Sequence, residues 1–354
     1  MNVGGDRVHP SGFKRVRSRL CCIFVLALLS LPSAYGQSGA GSSAQADLEA
    51  LVKAARAEAE LTFYTSHPEG ASKRLADAFD AKYGIKTKFI RLASVQILQR
   101  YGSEAEAGNI AADLLMSGGR VLELANEGIR KGWVEPISQS GLPVLRGEFP
   151  AKYNKGPSAV ISIAPWGIGY NTDKVKGADI PKTWEDILNP KWRGQILLPS
   201  PYASDEYLNV WASLLDKYGE AFFARLRAQN PRQYPGGTQA VQALAAGEGA
   251  FVPPVVPSSL GVIKEKSAPV AMSTPDYTSG AEVQVMLTSR AKAKHPGAAR
   301  LFANYVMSLE GNRIFNDDHG GFTVYDVSHL PGEYQSPRPG LVARKDEFAK
   351  LLGF

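Results

Sequence analysis

Cysteine is almost missing from this 354-residue chain: the only two, Cys21 and Cys22, stand side by side near the N-terminus. Everything after residue 22 is therefore without disulfides, cysteine–metal sites and cysteine nucleophiles. Long apolar runs are as scarce. "LCCIFVLALLSL" (20–31) falls short of the about 20 residues a membrane-crossing helix needs, and no comparable run follows it. Catalytic signatures are also lacking. There is no Gly-x-Ser-x-Gly elbow and no His-Glu-x-x-His, while "SGGR" and "GGTQA" are too short for a phosphate loop. His67, His295, His319 and His329 are dispersed, without metal-ligand spacing. Excess charge is absent too. The chain carries +6, of which residues 1–36 supply +4 and the rest +2, so no basic stripe marks a nucleic-acid partner.

What is present begins with an address. Arg7, Lys14, Arg15, Arg17 and Arg19 precede the apolar run, and Ala34 and Gly36 stand three and one residues before a cleavage point ahead of Gln37. A basic stretch, a short apolar stretch and small residues describe a secretory signal peptide over 1–36; an uncleaved signal anchor is the other reading. No arginine pair is present, which favours the general export route over the twin-arginine one. The cysteines open the apolar run rather than follow it, which is not where a lipid-attachment cysteine sits. "QSGAGSSAQ" (37–45) reads as a flexible leader. The remainder suits two domains.

Periodicity places a helix over 46–59, a strand over 61–65, a helix to Gly84 and an alternating strand over 85–92. A helix around 94–107, the strand "ADLLMS" (112–117) and a helix over 120–131 continue the pattern. Residues 158–172 are β-rich. A second series follows: a helix from Thr183, the strand 195–199, helices over 204–218, 220–228, 238–246 and 257–266, a strand over 282–288 and a helix over 296–308. The tail beyond 328 is Pro-rich and loosely patterned. Strands alternating with helices predict an α/β fold with a mainly parallel sheet.

Four stretches, in this order, resemble the periplasmic substrate-binding proteins of ABC importers, of the type that includes ferric-ion-binding proteins. They are "LTFYTSHPEG" (61–70), "GWVEPI" (132–137), "GIGYNTDKV" with "PKTWEDILNPKWRGQI" (167–196), and "AKAKHPGAARLFANYVMSLEGNRIF" (291–315). The resemblance implies two α/β domains joined by two crossover strands, with ligand held in a central cleft and sealed by hinge closure. Domain 1 would be discontinuous, 46–160 with 280–354, and domain 2 would span 161–279 including the crossings. A permease of an ABC transporter would be the partner, a sensor kinase the other outlet. The receptor would be a periplasmic monomer without cofactor, and not an enzyme; a secreted two-domain α/β enzyme is the alternative class.

In such sheets ligands bind beyond the carboxyl ends of strands, so the strand-to-helix junctions become candidates. Ser66 and His67 form one, Ser117, Gly118, Gly119 and Arg120 a second, Tyr202, Ala203 and Ser204 a third, and Gly236, Gly237 and Thr238 a fourth. Helix N-termini offer free N–H groups to an anion, and hydroxyls add donors; each site also reads as ordinary capping. Arg120 would grip a carboxylate or phosphate, or lie as a surface arginine. Trp166 and Tyr277, at the crossings, would stack on ligand or pack the hinge. The resemblance fails at iron. Paired tyrosines are expected where "VPPVVPSSLG" (252–261) stands, and an acidic ligand where Gly118 to Arg120 stand. The expected solute is therefore a small organic anion (a carboxylate, phosphonate or sugar phosphate), with ferric ion or a ferric complex as the alternative.

Overall fold

The computed structural model describes residues 39–264, 267–317 and 321–354. The expected signal peptide over 1–36, both cysteines and His319 lie outside the described residues. α1 (Gly39–Glu58) opens the described chain. It corrects the expectation of a flexible leader over 37–45, since residues 39–45 are helical. Alanine and glutamine favour that conformation, and Gln45 bonds Glu49 one turn on, at 2.9 Å.

The first half then alternates: β1 (Glu60–Thr65), α2 (Glu69–Tyr83), β2 (Lys86–Arg91), α3 (Ser94–Glu106), β3 (Leu114–Ser117), α4 (Val121–Lys131) and the short β4 (Val134–Glu135). β5 (Ala159–Pro165) and β6 (Gly167–Asn171) follow, separated only by Trp166. Next come β7 (Leu197–Pro199), α5 (Tyr207–Ala228), β8 (Arg232–Tyr234), α6 (Gly237–Ala245), β9 (Phe251–Val255), α7 (Pro257–Lys264), β10 (Val270–Ser273) and the long β11 (Tyr277–Thr288). α8 (Pro296–Met307), α9 (Leu309–Phe315), β12 (Glu333–Gln335) and α10 (Lys345–Leu352) complete the order.

Two sheets result. The larger runs β12-β11-β3-β1-β2, with β4 and β5 also paired to β11. β1, β2 and β3 are parallel, as expected, whereas β11 runs antiparallel to β3 and β5. The smaller sheet, β10-β6-β9, is antiparallel throughout, and β7 pairs with β8 in parallel. The antiparallel strands are those adjoining the passages between sheets. β5 belongs to one sheet and β6 to the other, as do β11 and β10, so the chain crosses at Trp166 and again over 274–276.

Side-chain alternation builds a core on each face of the larger sheet. Leu61, Phe63, Leu114 and Met116 pack with Phe79 and Phe302 on one side, while Tyr64 and Leu115 pack with Ile97 and Val121 on the other. The smaller sheet has its own cores, one around Trp184 and Trp211 and one around Val241 and Leu244. The expected helix from Thr183 is replaced by two single 3-10 turns, Asp186–Leu188 and Pro190–Trp192. Pro190 holds the preceding residue out of helical geometry. The expected helices 204–218 and 220–228 are two segments of α5, separated at Gly219, whose backbone is not helical (φ 65°, ψ −173°).

The tail departs from the expected division. After β12, Arg338 donates from its backbone to Asn209 Oδ1 (2.8 Å) and from its guanidinium to Asp216 (2.6 Å). Leu341, Phe348 and Leu352 then join the core of Trp184, Trp211 and Phe223. Residues 341–352 therefore pack with the middle of the chain rather than with 280–340. Their apolar positions are too few to announce this in sequence.

Candidate functional site

β1 and β3 lie side by side and deliver their junctions to one place. The Ser66 N–H donates to the Met116 carbonyl (3.0 Å), and the Gly118 N–H donates to Ser66 Oγ (3.1 Å). His67 is buried, with its ring against Phe315 at 4.4 Å between centroids. Ser117 is wholly buried and its hydroxyl has no hydrogen-bond partner among the described residues. Ser117 sits opposite Gln284 in the antiparallel β3–β11 pair, and directly opposed residues point to the same sheet face.

The second half of the site comes from the start of α5 and of α6. Ser204 Oγ donates to the Glu206 carboxylate, and the Glu206 N–H donates back to Ser204 Oγ at 3.2 Å. Ala203 lies 3.4 Å from where a methyl on Gly236 would stand. A methyl on Gly237 would be 2.4 Å from the Tyr207 hydroxyl, so only glycine fits there. Trp166 meets Tyr207 edge to face at 4.9 Å, and its indole N–H is buried without a partner among the described residues. Burial pushes the Tyr207 phenol up to about 12.

The halves touch at Gly118. A methyl there would come within 2.8 Å of Glu206 Oε1, and the same oxygen accepts from Ser94 Oγ at 3.4 Å. Beside it Arg120 pairs with Asp205 at 3.4 Å, and Asp205 also takes Lys345 of α10 at 2.6 Å. Burial raises the Glu206 carboxyl above the usual range and the charge of Asp205 raises it further, with the Ser204 and Ser94 hydroxyls opposing. Glu282, on β11, is also buried and raised by desolvation, against the charge of Lys155. A cavity of about 70 Å³ lies here, its charged lining being Arg120, Glu123, Asp205, Glu206, Glu282 and Arg338. That space holds a few water molecules at most. A larger cavity of about 450 Å³ adjoins the crossings between Pro165, Pro257, Asp276 and Phe322.

The expected site residues thus divide. Ser66, His67, Ser117, Gly118 and Gly119 sit together on the first half; Trp166, Ala203 and Ser204 sit with Tyr207 on the second. Arg120 reaches the meeting point, but its guanidinium is half exposed and already engaged by Asp205. Three others are placed elsewhere. Tyr202 is 53% exposed and donates its hydroxyl to Asp346 of α10 (2.9 Å). Tyr277 packs the crossing, giving its hydroxyl to the Ser213 carbonyl (3.1 Å) beneath Lys217, 4.1 Å above the ring. Thr238 is exposed one position into α6. Sequence reading missed Ser94, Asp205, Glu206, Glu282 and Gln284. "SDEY" (204–207) held a signal, two acids at a helix start, which reads as dipole compensation until the opposite half is seen to cover it.

Two α/β lobes, joined by paired crossings and meeting through strand-to-helix junctions, define a cleft-type solute-binding protein of the type II periplasmic class. The chain belongs to the bacterial extracellular solute-binding protein family, whose model matches residues 110–341. An uncharacterized protein of Haemophilus influenzae is 25% identical over 274 residues, 75% of this chain and 78% of the relative. Iron-bound HitA of Pseudomonas aeruginosa superposes with a TM-score of 0.64 at 18% identity, covering 83% of this chain and 99% of HitA. AfuA of Actinobacillus pleuropneumoniae, with fructose-6-phosphate bound, gives 0.60 at 20% identity, covering 83% and 96%. Family membership makes this a solute-binding protein of an ABC importer and implies the periplasm.

Proposed function

We propose that the chain captures a small organic solute through an acid group (a carboxylate, phosphonate or sugar phosphate) by closing its two lobes, and presents it to its permease. The observation that carries this reading is the convergence at Gly118. Two serine- and glycine-rich junctions, one from each lobe, meet there around a seat in which a carboxyl group, that of Glu206, already lies between two hydroxyls. A seat that accommodates a protein carboxyl has the size and the donors to take a ligand's. Contacts made from both lobes exist only in the closed form, so a ligand making them shifts the balance toward closure.

Arg120 is not part of this proposal as the principal grip, because Asp205 holds it. Iron, which HitA binds, is not carried over to this chain. Phenolates for a ferric ion would have to come from 252–261, where no tyrosine stands. A thermal-shift screen of organic acids tests the reading, since a ligand raises stability by mass action. At least one carboxylate or phosphate ester is expected to raise Tm in proportion to the logarithm of its concentration. Shifts confined to uncharged or metal-only additions would reject it.

A further inference from the structure

The two arginines that line the cavity, and Lys345 beside them, are already committed. Arg120 and Lys345 both hold Asp205, and Arg338 holds Asp216. Glu206 is left with hydroxyls alone, Ser94 and Ser204, and among the described residues no lysine, arginine or histidine pairs with either Glu206 or Glu282. Around one small cavity stand four carboxyls and two guanidiniums. Carboxyls enclosed in this way are ordinarily neutralised or paired. A second, independent observation lies one residue before Gly118, which meets Glu206. Ser117 is fully buried, its hydroxyl is unpartnered among the described residues, and it stands opposite Gln284, which lines the cavity. A bare dianion would bring more negative charge to this corner. A group that donates hydrogen bonds and carries positive charge would satisfy Glu206 and donate to the Ser117 hydroxyl oxygen.

We propose that Glu206 selects the solute by pairing with a cationic nitrogen carried on it, so that the ligand is amphoteric, an ammonium at the Glu206 corner and an acid group at the serine- and glycine-rich junctions. The acid half of this inference rests on the function proposed above; the ammonium half rests on Glu206. Glu206 supplies a charge-assisted hydrogen bond, shorter and stronger than one between neutral groups. Its other contacts, two serine hydroxyls, fix the carboxyl without placing a cation beside it, which leaves that role to the ligand. Matched compounds differing only in the amino group separate this role from one of shape.

Isothermal titration calorimetry on the full protein, wild type and Glu206→Gln, would use two matched pairs: 4-aminobutanoate against butanoate, and phosphoethanolamine against ethyl phosphate. A diamine, 1,4-diaminobutane, is the fifth probe. The amino member of at least one pair is expected to bind wild type about tenfold more tightly than its partner, a difference of about 1.4 kcal/mol. Glu206→Gln, which keeps the shape and should melt no lower than wild type, is expected to erase that preference. Equal binding of the two members of each pair, or a preference that survives Glu206→Gln, overturns the role of Glu206. Binding of the diamine as tightly as the amino acids overturns the acid half while leaving Glu206 in place. No binding by any of the five overturns both.

Discussion

Gly280 faces Ala164 so closely that a methyl group on Gly280 would stand 2.3 Å from the Ala164 carbonyl oxygen. These residues belong to β11 and β5, which pair where the chain passes between lobes, and the Trp166 N–H donates to Ser279 immediately alongside (3.0 Å). Backbone stands against backbone, so the neighbour cannot turn aside. Gly280→Ala is expected to lower stability by about 2 kcal/mol or more, in the range typical of overpacking, as read by urea unfolding. An unchanged midpoint would show that the crossings yield.

Gly118 makes the opposite kind of close contact. There the obstacle is the flexible end of Glu206, at 2.8 Å, which can swing away when the lobes part. Gly118→Ala should therefore leave the Tm of the free protein within a few degrees. It should weaken capture of whichever acid the thermal-shift screen identifies by about tenfold, equivalent to about 1.4 kcal/mol, because the lobes no longer meet. Undiminished affinity in calorimetry would place the ligand seat away from Gly118.

Glu206 should make stability depend on pH in a definite direction. Its folded carboxyl is raised above the ordinary value of 4.5 by burial. Between that value and the folded one, the folded state holds the proton more tightly than the unfolded state does, so stability is full below this window and falls as pH rises through it. Wild type is expected to lose Tm with rising pH relative to Glu206→Gln. Parallel Tm profiles for the two proteins would show that Glu206 does not titrate differently on folding.

Arg120 and Asp205 form a pair whose arginine is half exposed, and such pairs contribute about 0–1 kcal/mol. Arg120→Ala should change Tm little, and the small loss should shrink further in high salt. Asp205→Ala releases Lys345 as well and should cost more than Arg120→Ala. The order of the two melting temperatures in low salt decides this.

Phe348 is fully buried with Trp211 and Phe223. Phe348→Ala is expected to cost about 3–5 kcal/mol, as large-to-alanine changes in cores do, with the loss appearing in tryptophan fluorescence. A surface-like effect below about 1 kcal/mol would detach α10 from the second lobe.

Much of the alternation of strands and helices could be read from the residues, because apolar periodicity is a local property. "LTFYTSHPEG" gives β1 and the Ser66–His67 junction, and the glycine at 219 separates the two apolar patterns of α5 where the backbone leaves the helical range. The site was legible only in halves. Ser66 and Gly118 stand at ends of neighbouring parallel strands, so their meeting follows from the fold. Glu206 meets Gly118 across 88 residues of chain, and nothing in "SDEY" distinguishes a covered carboxyl from a solvated one. Tyr202 misled for the reverse reason: a tyrosine in a Pro-bounded loop suggests a ligand, yet its partner is Asp346 on a helix of two turns, too short for its pattern to stand out.

The return of α10 to the second lobe reverses the order in which the protein is made. Domains ordinarily fold as units while the chain emerges, N-terminal part first. Here the core around Trp184 and Trp211 is built by residues from the middle of the chain, yet it is closed by Leu341, Phe348 and Leu352. Trp184 and Trp211 must wait through more than a hundred further residues for their last neighbours. The lobe encoded in the middle of the chain is thus the last to be finished, and its apolar face stays open to chaperones, or to other unfinished copies, until the tail arrives.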